Sequence, residues 1–376
     1  MLRTTLQRNL FILSLTILPI NVYAQENLLL SQKISTIVDA KPISKFAPKY
    51  PINEARKGKE GWVVLSYVVE SNGKVSNAII EDSSGSRGFE KESLKIVKRW
   101  KFAPATENGT PITQCKNTVQ MDFKMHNINI GVSKKFFKLY QSYLSALKNN
   151  NPSEISELLD KIANFKIKLG IESYYQQLAL AQGAKLNEQP KKQLAHLNKA
   201  LRFSSEKELL NKEKLTAKQK EVRTRIEKNI APVLHQKLVL ELEAVQLANA
   251  IKTIDRLLAL EVNAKSHDAY RSQRQSISQI IGSEQHISVG LDLEDKETIS
   301  YKLLRNNFQL QNINGRLTKL DLRCRNQRHI YTVNDRSQWS IPESWQACSV
   351  YFYGEDNTTF TIVELPKPQN GSGLGN

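Results

Sequence analysis

The apolar and polar positions of the chain fall into three kinds of pattern. From Trp62 to Val69, "WVVLSYVV", the run reads as a strand with Val63, Leu65, Tyr67 and Val69 on one face. "SNGK" follows, and Asn72-Gly73 predicts a tight hairpin whose two central residues tolerate positive φ. Val75 to Glu81 returns as the second strand. Leu94, Val97 and Trp100 then recur at threes, with Phe89 and Ile96 beside them, which predicts a helix from about Phe89 to Lys101. Pro104 stops it, because proline lacks an N–H and disfavours the helical region for the residue before it. Phe102 is then free to fold back onto the sheet. "ENGTP" turns the chain into a last strand, Ile112 to Met125. There Val119, Met121, Phe123 and Met125 point one way and Gln120, Asp122 and Lys124 the other. Cys115 shares the parity of the apolar set, so it is expected to be buried and reduced, a small hydrophobe.

The period changes to that of helices between residues 132 and 282. "SKKFFKLYQSYLSALKNNNPSEISELLDKIANFKIK" reads as two helices broken at Asn149–Pro152, the second beginning at Ser153 with Glu154 and Glu157 in its first turn. A second pair breaks around Asn187–Pro190, and a third starts at Ala231. Each pair is about 33–34 residues long, the period of tetratricopeptide-like hairpins stacked as a solenoid. A plain bundle accounts for the pattern nearly as well. Glu206 to Lys228, rich in charge, interrupts the pairs and reads as a long solvated helix.

Short β-branched and aromatic runs return from 286 to 365: "HISVGL", "FQLQNINGRLTKLDLRCR", "HIYTV", "CSVYFYG" and "TTFTIVEL". They predict a small sandwich with Asn314-Gly315 as a hairpin turn. Cys324 shares parity with Leu320 and Leu322, and Cys348 with Val350 and Phe352. Both should point inward, where a bridge between them would stabilise by about 3 kcal/mol in the chain-entropy model. The tail 366–376, "PKPQNGSGLGN", is a flexible end.

With 376 residues and 40% hydrophobic side chains, the chain is globular and long enough for several cores. The net charge of +17 would suggest nucleic acid in a cytosolic protein. The N-terminus argues otherwise. Arg3 and Arg8 precede an apolar run from Leu10 to Ile20, and "VYA" comes before Gln25, which fits a signal peptide over 1–24 cleaved after Ala24. The alternative is an uncleaved inner-membrane anchor. Leu10 to Ile20 as a helix covers only about 16 Å, against a hydrocarbon core of roughly 30 Å. An exported protein is thus expected, periplasmic or facing the periplasm. Nucleic acid drops out as a partner, and an acidic surface such as lipid headgroups or an acidic protein enters as one.

The first domain carries a resemblance. "PKYPINEARKGKEGWVVLSYVVESNGKVSNAIIEDSSGSRGFEKESLKIVKRWKFAPATENGTPI" followed by "VQMDFKM" resembles the TonB C-terminal domain family. Tyr50-Pro51, Glu60-Gly61, Gly73-Lys74-Val75, Ser83-Ser84-Gly85, Trp100-x-Phe102-x-Pro104 and Asn108-Gly109 carry it by order and spacing. The resemblance implies a periplasm-facing domain that binds the TonB box, a short N-terminal segment of outer-membrane receptors, as a strand added to a free sheet edge. Carried over, the receiving edge is Asn117, Thr118, Val119, Gln120, Met121, Asp122, Phe123, Lys124 and Met125. Pro48, Lys49, Tyr50 and Pro51 form the conformationally fixed segment expected beside it. The partner so implied is a TonB-dependent outer-membrane receptor or another envelope protein, with a second copy of the domain as the other pairing.

The expected fold class is therefore multi-domain α+β. A linker over 25–41 leads to a TonB-like domain over 42–127, a helical-hairpin domain over 132–282 and a β-sandwich over 286–365. The chain departs from a TonB energy transducer in lacking a long Pro-rich linker: Pro42 is the one proline between Gln25 and Ala47. No HExxH, GxSxG or Walker loop is present, and the histidines are scattered, so no enzyme, cofactor or metal is expected. Three functions remain from the sequence: a periplasmic adaptor linked to TonB-dependent transport, an anchored energy transducer for siderophore or nutrient uptake, and a structural envelope scaffold.

Overall fold

The computed structural model describes residues 37–125, 131–202, 215–294, 296–333 and 337–367. The expected signal peptide over 1–24, most of the linker and the tail from 368 onward lie outside the described residues. The described residues all belong to one compact unit. No helix among the described residues is long and apolar enough to cross a membrane.

Two short strands, β1 (Ile37–Val38) and β2 (Lys41–Ser44), precede a one-turn helix α1 (Ile52–Arg56). Then come β3 (Gly61–Val69), β4 (Val75–Ser83), α2 (Arg87–Val97), β5 (Lys101–Ala103), β6 (Ala105–Glu107), β7 (Thr110–Ile112) and β8 (Gln114–Phe123). The main sheet is antiparallel in the order β4-β3-β8. Beside it lie a β1-β6-β7 sheet and a β2-β5 pair. The end of the expected linker, 25–41, thus supplies β1 and the first residue of β2, strands too short to show an alternation.

Two sequence expectations are corrected in this region. The β3–β4 turn has three residues, with Gly73 alone at positive φ (+77°) and its N–H donating to Glu70 O at 2.8 Å. Glycine is required there, because an added Cβ would lie 1.9 Å from Phe102 O. The two-residue turn with both φ positive is instead Asn108-Gly109, between β6 and β7 (φ 51° and 83°). Finally, α2 ends at Val97, short of Lys101. Arg99 and Trp100 close tighter turns onto Ile96 O and Val97 O, and Lys101–Ala103 pairs with β2. Phe102 does fold back, and with Trp100 it joins Phe89, Ile96, Val97, Val63, Leu65, Met121 and Phe123 in the core under α2.

The middle of the chain is helical: α3 (Lys134–Lys148), α4 (Pro152–Ala163), α5 (Gly170–Leu186), α6 (Pro190–Arg202), α7 (Ala217–Glu243), α8 (Leu247–Leu258), a 3-10 turn (Glu261–Ser266) and α9 (His267–Gly282). Asn151, not Ser153, caps α4: its side chain accepts from Glu154 N at 3.3 Å, with Pro152 in the first turn. Of the charged stretch Glu206 to Lys228, the part before residue 215 lies outside the described residues, and the rest is not a helix separate from the third pair. From Ala217 it runs through Pro232 to Glu243 as one helix, started by a Thr216/Gln219 capping box. Lys237, Glu241 and Thr253 form a buried polar bridge between α7 and α8.

Two four-stranded antiparallel sheets follow. One has the order β14-β11-β16-β9, from β9 (Ile287–Asp292), β11 (Asn307–Asn314), β14 (Gln338–Ser340) and β16 (Thr359–Leu365). The other has the order β10-β15-β12-β13, from β10 (Thr298–Lys302), β12 (Leu317–Arg323), β13 (Arg328–Tyr331) and β15 (Ser349–Gly354). Phe352 of one sheet meets Phe360 of the other, ring centroids 4.7 Å apart. Asn314-Gly315 is not a hairpin, because β11 and β12 lie in different sheets. It is the corner where the chain crosses between them, and an added Cβ on Gly315 would sit 2.6 Å from Thr358 Oγ1. Cys324 and Cys348 form a disulfide, and Cys115 is a buried free thiol.

Candidate peptide-binding edge

Every residue of β3 is buried. Val63, Leu65, Tyr67 and Val69 face α2, as alternation requires. The opposite face is covered as well. The Tyr351 hydroxyl donates to Glu81 Oε1 at 2.7 Å and accepts from the Ser66 hydroxyl at 2.8 Å. Arg323, 1% exposed, donates to Asn77 O at 3.3 Å and is held by Asp321 at 2.9 Å. Arg328 binds the same carboxylate at 2.8 Å. Burial pushes the Asp321 carboxyl up, but the hydrogen bonds and charges of Arg328 and Arg323 outweigh it and hold the group below its usual range. From the helices, Arg202 places its guanidinium 5.6 Å from the Trp62 ring centroid.

One long edge of this sheet belongs to β8. Trp62 O accepts from Ser84 N, so Trp62 bonds towards β4. Val63 and Leu65, with their partners Met121 and Val119, then supply the bonds between β3 and β8. That alternation turns the N–H groups of Thr118, Gln120 and Asp122 to the outer side. No strand among the described residues pairs there.

The start of β8 is different. One extra residue enters between Gln114 and Asn117 opposite Tyr67–Val69, a bulge that reverses the parity below it. Cys115 is buried as expected, but on the other face, next to Arg323, Arg328 and Asp321 and outside the core under α2. Burial pushes its thiol up to about 12. Its N–H donates to Arg325 O at 3.2 Å, and Lys116 Nζ donates to Ala347 O at 2.8 Å. Burial, then the charges of Lys302 and Lys252, pull the Lys116 ammonium down to about 8.

The remaining edge residues divide by face. Met121 and Phe123 are core, Val119 is half-buried against it, and Thr118, Asp122 and Lys124 are exposed. Asn117 is occupied by its own strand, donating to Gln114 O at 2.9 Å. Gln120 Nε2 donates to Asp122 Oδ1 at 2.8 Å and Arg202 O at 3.1 Å, while its buried Oε1 has no partner. Met125 N donates to Glu60 Oε1 at 3.0 Å.

Pro48 to Pro51 crosses the α2 side. Pro48 and Pro51 are half-buried and Lys49 is exposed. Tyr50 meets Phe89 and Phe123 edge-on at 5.6 and 5.8 Å and donates to Lys59 O at 2.5 Å. Burial, then Glu60 and Glu54, push its phenol up to about 12, so it stays a donor. The segment therefore touches β8 through Phe123, at the C-terminal end of the edge.

Sequence reasoning missed Arg325, Arg202 and Ser66, and gave Glu60 no role beyond the family motif. One signal was available: "WVVLSYVV" is almost unbroken in apolar residues, which is how a strand covered on both faces reads. Among the described residues no group of three or more His, Cys, Asp or Glu is placed to hold a metal ion.

Comparison with known proteins adds a family to this geometry. Residues 47–125 match the family described as Gram-negative bacterial TonB protein C-terminal. Protein TonB of Xanthomonas campestris pv. campestris (strain B100) is 36% identical over 76 residues, 20% of this chain and 34% of that protein. Protein tonB2 of Pseudomonas aeruginosa PAO1 is 36% identical over 80 residues, 21% of this chain and 29% of that one. The chain thus spans about a third of the length of the curated relatives it matches. Among solved structures, the Pseudomonas aeruginosa TonB C-terminal domain is 24% identical with a TM-score of 0.21, covering 24% of this chain and 91% of that one. Residues 47–125 thus form a TonB C-terminal domain, and proteins of that family are non-enzymatic energy-transduction and binding proteins.

Proposed function

We propose that this protein is a periplasmic adaptor. Its TonB C-terminal domain takes up an extended peptide as an added strand along the outer edge of β8, in the service of TonB-dependent transport. The partner is the N-terminal box segment of a TonB-dependent outer-membrane receptor, as the resemblance implies. The observation that carries this is the terminal place of β8 in the order β4-β3-β8, with the amides of Thr118, Gln120 and Asp122 turned outward. Each added main-chain hydrogen bond contributes about 0.5–1.5 kcal/mol net. The bond from Cys115 to Arg325 shortens the available edge to Thr118–Met125, so the contact is short and reversible. The hairpins, read as tetratricopeptide-like, and the C-terminal sheets, read as a sandwich, grip the opposite sheet face. That grip favours an adaptor over a transducer head swinging on a linker.

The test is a titration of a receptor-box peptide into the 15N-labelled full chain. Amide shifts are expected along Thr118–Met125 and are lost in Gln120→Pro, which deletes an outward N–H and spares the bonds to β3. The Cys115–Arg325 bond favours a second reading, a structural scaffold that uses its edge internally. Absence of shifts in the folded wild-type protein decides for that reading. Mass spectrometry of the mature N-terminus separates the adaptor, beginning at Gln25, from an anchored transducer retaining Met1.

A further inference from the structure

We infer that the α2 side of the TonB C-terminal domain is a docking face for an anionic lipid surface, distinct from the β8 edge. Residues 43–57 form a strap that runs along α2 in the opposite direction. Ser44 pairs with Lys101, and Phe46 O accepts from Trp100 Nε1 at 2.8 Å. Tyr50 meets Phe89 at 5.6 Å, and Glu54 lies against Gly88, where an added Cβ would be 3.0 Å from Glu54 Oε1. Strap and helix therefore make one continuous surface, about 16 Å long for an eleven-residue helix.

Three large apolar side chains stand out of this surface: Ile43 is 71% exposed, Phe46 54% and Ile52 68%. Exposed cations surround them. Lys45, Lys49, Arg56 and Lys57 lie on the strap, and Lys91, Lys95, Lys98 and Arg99 on the helix side. Lys45 Nζ sits 4.7 Å from the Trp100 ring centroid, beside Phe46. The three acids of the same segments, Glu54, Glu90 and Glu92, are half-buried; Glu90 accepts from the Ser83 hydroxyl, and Glu92 lies 3.8 Å from Lys95.

The chemistry selects the occupant. Separate apolar side chains projecting from a basic field match an interface where side chains insert singly among acyl chains and cations meet phosphates. Lysine stems lie along the apolar zone while their ammonium groups stay in water. The surface backs the opposite side of the sheet from the one gripped by Tyr351 and Arg323, so docking there leaves those contacts in place.

The full chain tests this with an environment-sensitive dye on Ile43→Cys or Ile52→Cys, and on Leu186→Cys, 52% exposed in α5, as the control. Vesicles containing phosphatidylglycerol should blue-shift the dye at 43 and 52, pure phosphatidylcholine should not, and the dye at 186 should report neither. The control separates docking through this face from binding through the apolar N-terminal run. Lys45→Glu/Lys98→Glu/Arg99→Glu should weaken the response at least tenfold with unchanged circular dichroism. The proposal is overturned by no shift at 43 and 52, or by an equal shift at 186. It is also overturned if soluble polyglutamate gives the same response, which assigns the face to an acidic protein, or if the shift grows with protein concentration without vesicles, which assigns it to a second copy.

Discussion

The two faces of the sheet β4-β3-β8 are both buried, by opposite means. On the α2 side the cover is local and apolar: Phe89, Ile96, Val97, Trp100 and Phe102 come from within forty residues of β3. On the other side it is remote and polar, made by Tyr351, Arg323 and Arg202, and it meets Ser66, Glu81 and Trp62. The first face makes a domain that holds itself together. The second makes that domain one layer of a larger body. Burial of apolar area drives the first, whereas the second depends on every charge keeping its partner.

Breaking each face once tests the contrast. Asp321→Ala leaves Arg323 and Arg328 without their shared carboxylate, one of them 1% exposed. A loss of about 3–5 kcal/mol is expected. Phe89→Ala, from a site with no exposure and a ring 4.2 Å from Phe123, should cost about 3–5 kcal/mol as well. Denaturant unfolding measures the size and hydrogen exchange the distribution. Asp321→Ala should release protection in the C-terminal sheets and β3 together, and Phe89→Ala should release it first around α2. The same pattern from both variants would end the distinction.

Acid should produce a milder version of the first lesion. The Asp321 carboxyl titrates lower in the folded protein than in the unfolded chain, so its contribution is complete above about pH 4. It is lost as pH falls further and the folded group takes up its proton. In Asp321→Asn the stability-against-pH curve below pH 4 should be flatter than in the wild type. Smallest is Tyr351→Phe, which removes a hydroxyl bonded to Ser66 and Glu81 and should cost about 1–2 kcal/mol with the ring still packed.

The same contrast explains what the sequence disclosed. The α2 face was legible because period-2 and period-3.6 patterns lie next to each other in the chain, and Phe89, Met121 and Phe123 follow them. The helical breaks at Asn149–Pro152 and Asn187–Pro190 were legible from cap and proline chemistry. The remote face was not, since Arg323 and Tyr351 read locally as members of C-terminal strands and nothing in their own segment points 250 residues back. The bulge at Cys115 was invisible for another reason: one extra residue reverses every later inference from parity and leaves no mark in composition. Asn314-Gly315 misled because a corner between two sheets needs the same residues as a hairpin.

Glu60 closes the account of the edge. One carboxylate oxygen takes the amide of Met125, just past the end of β8, and the other takes the amide of Gly170, which opens α5, at 2.8 Å. Its own N–H donates to Lys168 O at 2.7 Å. Beside the Gln120–Arg202 bond, Glu60 is therefore a second point at which the C-terminal end of β8 is tied to the helices, so a pull along that strand is shared with α5.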